Sequence, residues 1–486
     1  MDTRQTEEAT TQEHGQHNNQ HNQHNQELAE KDRRYVWHAM ARHTEDGPPA
    51  PMMVESGQGA WVTDTAGNRY LDGMSGLWCV NAGYGREELA KAAYDQLVKL
   101  PYYPLTGSHE PAVELGEKLN RWLDPSGQSE YVIFYSNSGS EANETAFKIA
   151  RQYHEQNGQT DRWKFVSRYR AYHGNGFGSL AATGQAQRKY RYEPLAPGFL
   201  HVQPPDTYRC EYCGGRAAGN ECGKDCAVRY ARQIERVILY ELPETVAAVI
   251  MEPIITGGGV ITPPQDYMAE VRRICDETGV LLISDEVICG FGRTGENFGF
   301  QNYLGSGNKE NAPDIVTMAK GITSGYLPLS ATAVKREIYE AFAGTGLYDN
   351  LRHVNTFGGN PAACALAVKN LEVMEKEELP KRSKEMGEKL YEELEEIKDH
   401  PNVGDLRHRG LLFGIEMVED KQSGAPSQEK TAALLAACKK RGLIAGKNGD
   451  TVAGYNNIVA LSPPLSLTGE DLEFISGTLK ETVADL

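Results

Sequence analysis

The stretch Leu281-Leu282-Ile283-Ser284-Asp285-Glu286-Val287, read together with Asp314-Ile315-Val316-Thr317-Met318-Ala319-Lys320-Gly321, decides the fold. Each is a short apolar run, the pattern of a strand buried on both faces, and each leads into a charged residue. One acid and one amine therefore stand at the mouths of two buried strands. Working outward, Tyr131 to Tyr135, Phe165-Val166-Ser167, Val246 to Met251 and residues 329 to 334 read as further strands, with helices over Ser140 to Glu155 and Asp266 to Thr278. Strands alternating with helices predict an α/β fold whose mostly parallel sheet is covered on both faces.

The flanks have a different texture. Ala60 to Asp64 and Asn68 to Asp72, joined through Ala66-Gly67, read as a hairpin. Beyond Pro361 come long charged helices, as in Leu371 to Ile397, and short strands around Gly410 to Met417, the pattern of a smaller α+β domain against which the hairpin is expected to pack. A single core stops growing at roughly 250 to 300 residues, so the 486 residues imply two packed domains. The expected division is a low-complexity tail over 1–30, rich in Gln, Asn and His and expected to be disordered, an N-terminal part of the small domain over 31–75, a large domain over 76–355 with a cysteine-containing insertion at about 205–230, and the rest of the small domain over 356–486.

A formal charge of -17 argues against nucleic acid, which is gripped by clustered Lys and Arg. No run approaches the roughly 18 apolar residues of a membrane span, and the first residues lack the apolar core of a signal peptide, so a cytoplasmic protein is expected.

A lysine and a carboxylate at neighbouring strand ends suit pyridoxal 5'-phosphate. That cofactor needs an amine to hold its aldehyde as a Schiff base and a carboxylate to keep its ring nitrogen protonated. Ser136-Asn137-Ser138-Gly139-Ser140-Glu141-Ala142-Asn143 lies between a strand and a helix, where free N–H groups at a helix N-terminus bind phosphate. Tyr172-His173-Gly174 offers a ring to lie flat on a pyridine, and Val287, two residues after Asp285, offers a small branched side chain for the opposite face. Glu252, closing the apolar run that ends at Met251, falls at the same edge of the sheet, where open parallel sheets bind ligands.

With these residues in order, the chain resembles the class III (omega) aminotransferases, fold-type I pyridoxal-phosphate enzymes, over roughly residues 31 to 486. The resemblance is carried by Leu77-Trp78-Cys79-Val80-Asn81-Ala82-Gly83-Tyr84-Gly85, Ser138 to Asn143, Tyr172-His173-Gly174, Glu252-Pro253, Asp285 to Gly295 and Ala319-Lys320-Gly321. It implies that Lys320 carries the cofactor, Asp285 pairs with its ring nitrogen, Tyr172 and Val287 sandwich the ring, and Gly139 and Ser140, next to Ser138, bind the phosphate. His173 and Glu252 complete the implied cofactor contacts. It further implies that Thr356, in Asn355-Thr356-Phe357-Gly358, closes the phosphate site of a neighbouring subunit, which makes a homodimer obligatory and leaves a tetramer open. The implied reaction is ping-pong: an amine donor displaces Lys320, which then moves a proton as base and acid, and a keto acid, pyruvate, takes up the amino group.

For the substrate, Trp78 matches an aromatic of the family's pocket, and Trp37 and Met40 match a segment lining it from the N-terminal side. The stretch from Gly446 to Asn457 most resembles taurine–pyruvate aminotransferases and departs from the amine–pyruvate pattern, in which an arginine stands at the position of Gly446. Another cation must then meet the donor's distal acid group; Arg170 is the first candidate and Lys447 the second. An aminomutase or decarboxylase of the same fold, or a non-catalytic sensor, is the alternative to a transaminase of taurine, β-alanine or a related amine. The pairs Cys210-Glu211-Tyr212-Cys213 and Cys222-Gly223-Lys224-Asp225-Cys226 have a spacing open to tetrahedral zinc, but reduced or disulfide-linked packing, with no metal, is the expectation.

Overall fold

The computed structural model describes residues 25–41, 43–44, 51–127, 129–303, 312–449 and 451–486. Up to residue 24 the expected tail lies outside them. Residues 25–35 are helical, so regular structure sets in ahead of the expected boundary at 31.

Three strands, β1 (Val54–Gln58), β2 (Trp61–Asp64) and β3 (Arg69–Asp72), form an antiparallel meander. The β2–β3 turn is built by Asp64, whose carboxylate accepts the N–H groups of Ala66 and Asn68, and by Gly67 at φ 83°, where a Cβ would be strained. The large sheet holds β4 (Tyr131–Ser136), β5 (Lys164–Arg168), β6 (Phe199–Val202), β7 (Val246–Met251), β8 (Leu281–Asp285), β9 (Ile315–Met318) and β10 (Ser330–Lys335), in the order β4-β10-β9-β8-β7-β5-β6. Only β10 runs against its neighbours, so the sheet is mostly parallel, as expected. The third sheet comprises β11 (Val403–Arg409), β12 (Leu412–Met417), β14 (Gly446–Lys447) and β15 (Ile458–Leu461), while β13 (Leu443–Ile444) joins β3 in parallel.

Both faces of the large sheet are dry. Ala146, Phe147 and Ile149 of the helix Gly139–Gln156 pack on Phe165, Ile250 and Ile283. Tyr230 and Ile234 of the helix Lys224–Tyr240, and Val271 of Tyr267–Thr278, cover Val166, Val249 and Leu282 on the other face. Each such buried aliphatic or aromatic side chain contributes about 1.5–3 kcal/mol. A third cluster runs unbroken from Leu71 through Val316 and Met318 to Leu472 and Leu479. The hairpin does meet the C-terminal part of the chain: Trp61 Nε1 donates to Asp471 at 2.7 Å and its ring lies 5.1 Å from that of Phe474.

The helical stretch expected from Leu371 to Ile397 belongs to two helices, Pro361–Lys376 and Leu379–Leu394. Pro380 has no N–H to give and its ring blocks the carbonyl four residues back, so the chain breaks at Glu378, which takes φ 49°.

Candidate active site

The β8–β9 register sets the geometry. Asp285 pairs with Thr317 across the two parallel strands, so Lys320, three residues further on, emerges beside Asp285 at the same sheet edge. Lys320 takes a left-handed backbone, φ 49°, a conformation costing a non-glycine residue about 1–3 kcal/mol unless its surroundings impose it. A cavity of about 170 Å³ opens there, lined by Gly139, Ser140, Tyr172, Asp285, Val287 and Lys320 among others.

Every partner of Asp285 holds it in place. Oδ2 accepts from Asn143 Nδ2 and faces His173 Nδ1, each at 2.8 Å, and Oδ1 accepts the Val287 N–H at 3.1 Å. Asn143 is itself fixed, donating to the His173 carbonyl at 2.7 Å and accepting from Thr317 Oγ1 at 2.7 Å. Glu252 is buried, and desolvation pushes its carboxyl above the usual range; it accepts the N–H groups of Tyr172 (3.1 Å) and Thr256 (2.9 Å). Lys320 is driven the other way, since burial disfavours its charged form and lowers its pKa despite Cys79 and Asp285 nearby.

The helix Gly139–Gln156 starts with a capping box: Ser138 Oγ accepts the Glu141 N–H, and Glu141 reaches back to Ser138. Gly139 and Ser140 head the helix with N–H groups that no carbonyl of their own helix can take, and both residues line the cavity. A Cβ on Gly139 would stand 2.9 Å from both Val287 methyls, so a glycine keeps that wall open. A flat ring with a phosphate on one side and a basic nitrogen on the other fits what the cavity offers: a helix N-terminus, an aromatic and a valine side chain, a buried carboxylate and a buried amine.

The structure also moves several expected residues. Arg170, expected to face the donor's acid group, is spent: its backbone takes φ 67°, Nη1 donates to Asp206 at 2.9 Å and Nη2 to the Gly258 carbonyl at 2.8 Å. Lys447 is exposed on the edge strand β14. Trp78 is buried among Met74, Ile254 and Val260, and Leu77 lines the cavity instead. Trp37 is 86% exposed, its ring on the edge of His43, whereas Met40 reaches toward the site with Sδ 4.0 Å from Arg188 Nη1. Thr356 is exposed, away from the cavity of its own chain, and its carbonyl accepts from Tyr102. At Gly446, where the amine–pyruvate pattern has arginine, a Cβ would come within 2.6 Å of Met74 Cε.

Three residues were missed as site residues. Asn143 lay in a quoted motif, one helical turn past Gly139, and that spacing was the available signal. Cys79, whose thiol neighbours Lys320, likewise lay in a quoted run. Arg188 had none: it sits in the short helix Ala186–Lys189, with its guanidinium 5.1 Å over the Tyr172 ring.

The model of the family described as aminotransferase class-III matches residues 42–483. An uncharacterized aminotransferase of Bacillus subtilis, YhxA, is 61% identical over 94% of this chain and 96% of its own length. The taurine–pyruvate aminotransferase of Bilophila wadsworthia is 39% identical over 92% of this chain and 95% of its own. A crystal structure of a Bacillus anthracis aminotransferase superposes with a TM-score of 0.88 at 57% identity, covering 96% of this chain and 99% of that one. The chain belongs to the class-III aminotransferases, enzymes of fold type I whose cofactor is pyridoxal 5'-phosphate.

Proposed function

We propose that this aminotransferase is an omega-transaminase passing the amino group of an acid-bearing omega-amine, of the taurine or β-alanine kind, to pyruvate in a ping-pong cycle, as a cytoplasmic homodimer. The observation that carries the substrate class is Arg188. Its guanidinium lies over the Tyr172 ring, and among the described residues its Nη1 has only the Met40 sulfur at 4.0 Å. Nε is anchored on Gln185 Oε1 at 2.7 Å and Nη2 on the Gly449 carbonyl at 3.4 Å, which aims the guanidinium and leaves Nη1 to meet a ligand. The fork suits a carboxylate or sulfonate held one chain length from the reacting carbon. The Bilophila wadsworthia relative, named for taurine and pyruvate, supports the same class.

When bound, pyridoxal phosphate supplies an electrophilic aldehyde and a ring that accepts electron density. The chain's own residues do the rest. Lys320 Nζ, with its charge disfavoured by burial, is ready to take a proton from the substrate carbon and return it. Asp285, immobilised by Asn143 and by His173, keeps the ring nitrogen protonated. Tyr172 and Val287 bracket the ring; the N–H groups of Gly139 and Ser140, with the Ser138 cap, take the phosphate. Glu252 holds the Tyr172 backbone by its N–H.

The homodimer reading rests on exposed apolar residues that a lone chain leaves wet. Leu97, Val98, Tyr102, Tyr103 and Phe357 are all exposed, and Tyr102 and Phe357 meet at 5.9 Å next to Thr356, which would complete the partner's phosphate site. The cytoplasmic reading fits the free buried thiols of Cys275, Cys289, Cys364 and Cys438. Alanine formed from pyruvate with taurine, β-alanine or an aryl amine as donor tests the proposal. Turnover with the acid-bearing donors, lost in Lys320→Ala, is expected; alanine from the aryl amine alone would reject the substrate class.

A further inference from the structure

Cys210, Cys213, Cys222 and Cys226 meet in space although no strand of any sheet holds them there. Their four sulfur atoms all lie within 4.8 Å of one another, with Cys213 and Cys222 at 3.6 Å. Tetrahedral coordination at about 2.3 Å per Zn–S bond places sulfurs about 3.8 Å apart. Two independent disulfides would require only that members of each pair approach, whereas here all four converge on one point.

The backbone turns tightly at the first cysteine pair, where the Gly214 N–H donates to the Cys210 carbonyl at 2.8 Å. The chain then reverses through Gly214 at φ 79° and Gly215 at φ 63°, which only glycine adopts without strain. Cys226 comes from the first turn of the helix Lys224–Tyr240.

We propose that these four cysteines bind one zinc ion, losing their thiol protons to solvent as they do so, and that the ion fixes the insertion between β6 and the helix Lys224–Tyr240. The segment from Asp206 to Gly223 has no regular element beyond the three-residue turn Arg216–Ala218. Short stretches without a core of their own commonly depend on such a staple. What it holds matters. Asp206 is the partner of Arg170, Arg216 forks onto Asp405 of β11 at 2.6 and 2.9 Å, and Arg209 pairs with Glu416 of β12. The zinc loop thus ties the loop that carries Tyr172 to the third sheet.

The test compares the metal content of the full-length holoenzyme with that of Cys213→Ser/Cys222→Ser. Both chains keep the histidine-bearing N-terminal segment, so incidental metal there cancels. One zinc per chain more in the wild type is expected. Equal zinc contents, or iron in its place, would overturn the assignment. Because the double variant could fail to fold, zinc-edge X-ray absorption on the wild type decides alone. Four sulfur neighbours at about 2.3 Å are expected; a shell of nitrogen and oxygen, or disulfides among these cysteines in the protein as purified, would refute it.

Discussion

Arg170 and Arg188 each hold the guanidinium near a tyrosine, at 5.5 Å from Tyr455 and 5.1 Å from Tyr172 respectively. Arg170 is buried, ion-paired to Asp206 and bonded to the Gly258 carbonyl. Arg188 is half-buried, with an N–H group still unspent. A buried arginine must have its donors met by protein, because desolvating an unpaired charge costs several kcal/mol. The more enclosed cation is therefore structural, and the one still in reach of water is available to a substrate. Exposure of the fork, not distance along the chain from Tyr172, decides which arginine can recognise an acid.

The largest effect belongs to the residue on which either role depends. Lys320→Ala should lower transamination of every donor by at least about 10⁴-fold, acid-bearing or not, while the melting temperature of the apoenzyme stays near that of wild type. A variant that still turned over would dissolve the distinction between recognition and chemistry.

Arg170→Met leaves the largely buried Asp206 without its ion-paired cation, with only Arg407 still acting on it. A loss of about 3–5 kcal/mol in unfolding free energy is expected, read from denaturant melts, with the ratio of kcat/KM for β-alanine over an aryl amine unchanged. A collapse of that ratio with stability intact would reverse the roles of the two arginines.

Arg188→Ala should do the opposite. A charge-assisted bond is worth about 1.5–3 kcal/mol, so kcat/KM for taurine and β-alanine should fall about 10- to 150-fold. Aryl amine kinetics and melting temperature should barely change. Equal losses for all donors would mean that Arg188 merely packs on Tyr172.

The smallest effect is in the acid limb of stability. Burial raises the Asp206 carboxyl, but Arg170 and Arg407 outweigh it and hold it below the usual range. The folded state therefore binds this proton less readily than the unfolded chain. Its contribution is fully present above the ordinary aspartate value of about 3.9 and is lost as the pH falls through the lower folded value. Removing Arg170 should move that loss to higher pH in unfolding measured across pH 2 to 6; removing Arg188 should not.

The central strands and the Lys320–Asp285 pair were legible because buried parallel strands advertise themselves as continuous apolar runs, and the charges that end them are conspicuous. Strand β6, Phe199–Val202, was missed, and so was the helix Glu87–Lys99, whose buried face is only Leu89, Ala93 and Gln96. The break at Glu378 was foreshadowed by Pro380. What sequence could not give was direction: the left-handed backbones of Arg170 and Lys320 turn one side chain away from the cavity and the other into it. Nor could it show that four cysteine sulfurs share one point.

The most direct test of the account is a single-turnover spectrum of the yellow holoenzyme mixed in turn with taurine, β-alanine and an aryl amine. The account predicts that the cofactor band bleaches with taurine or β-alanine and returns on adding pyruvate. No bleaching with either acid-bearing amine would contradict it.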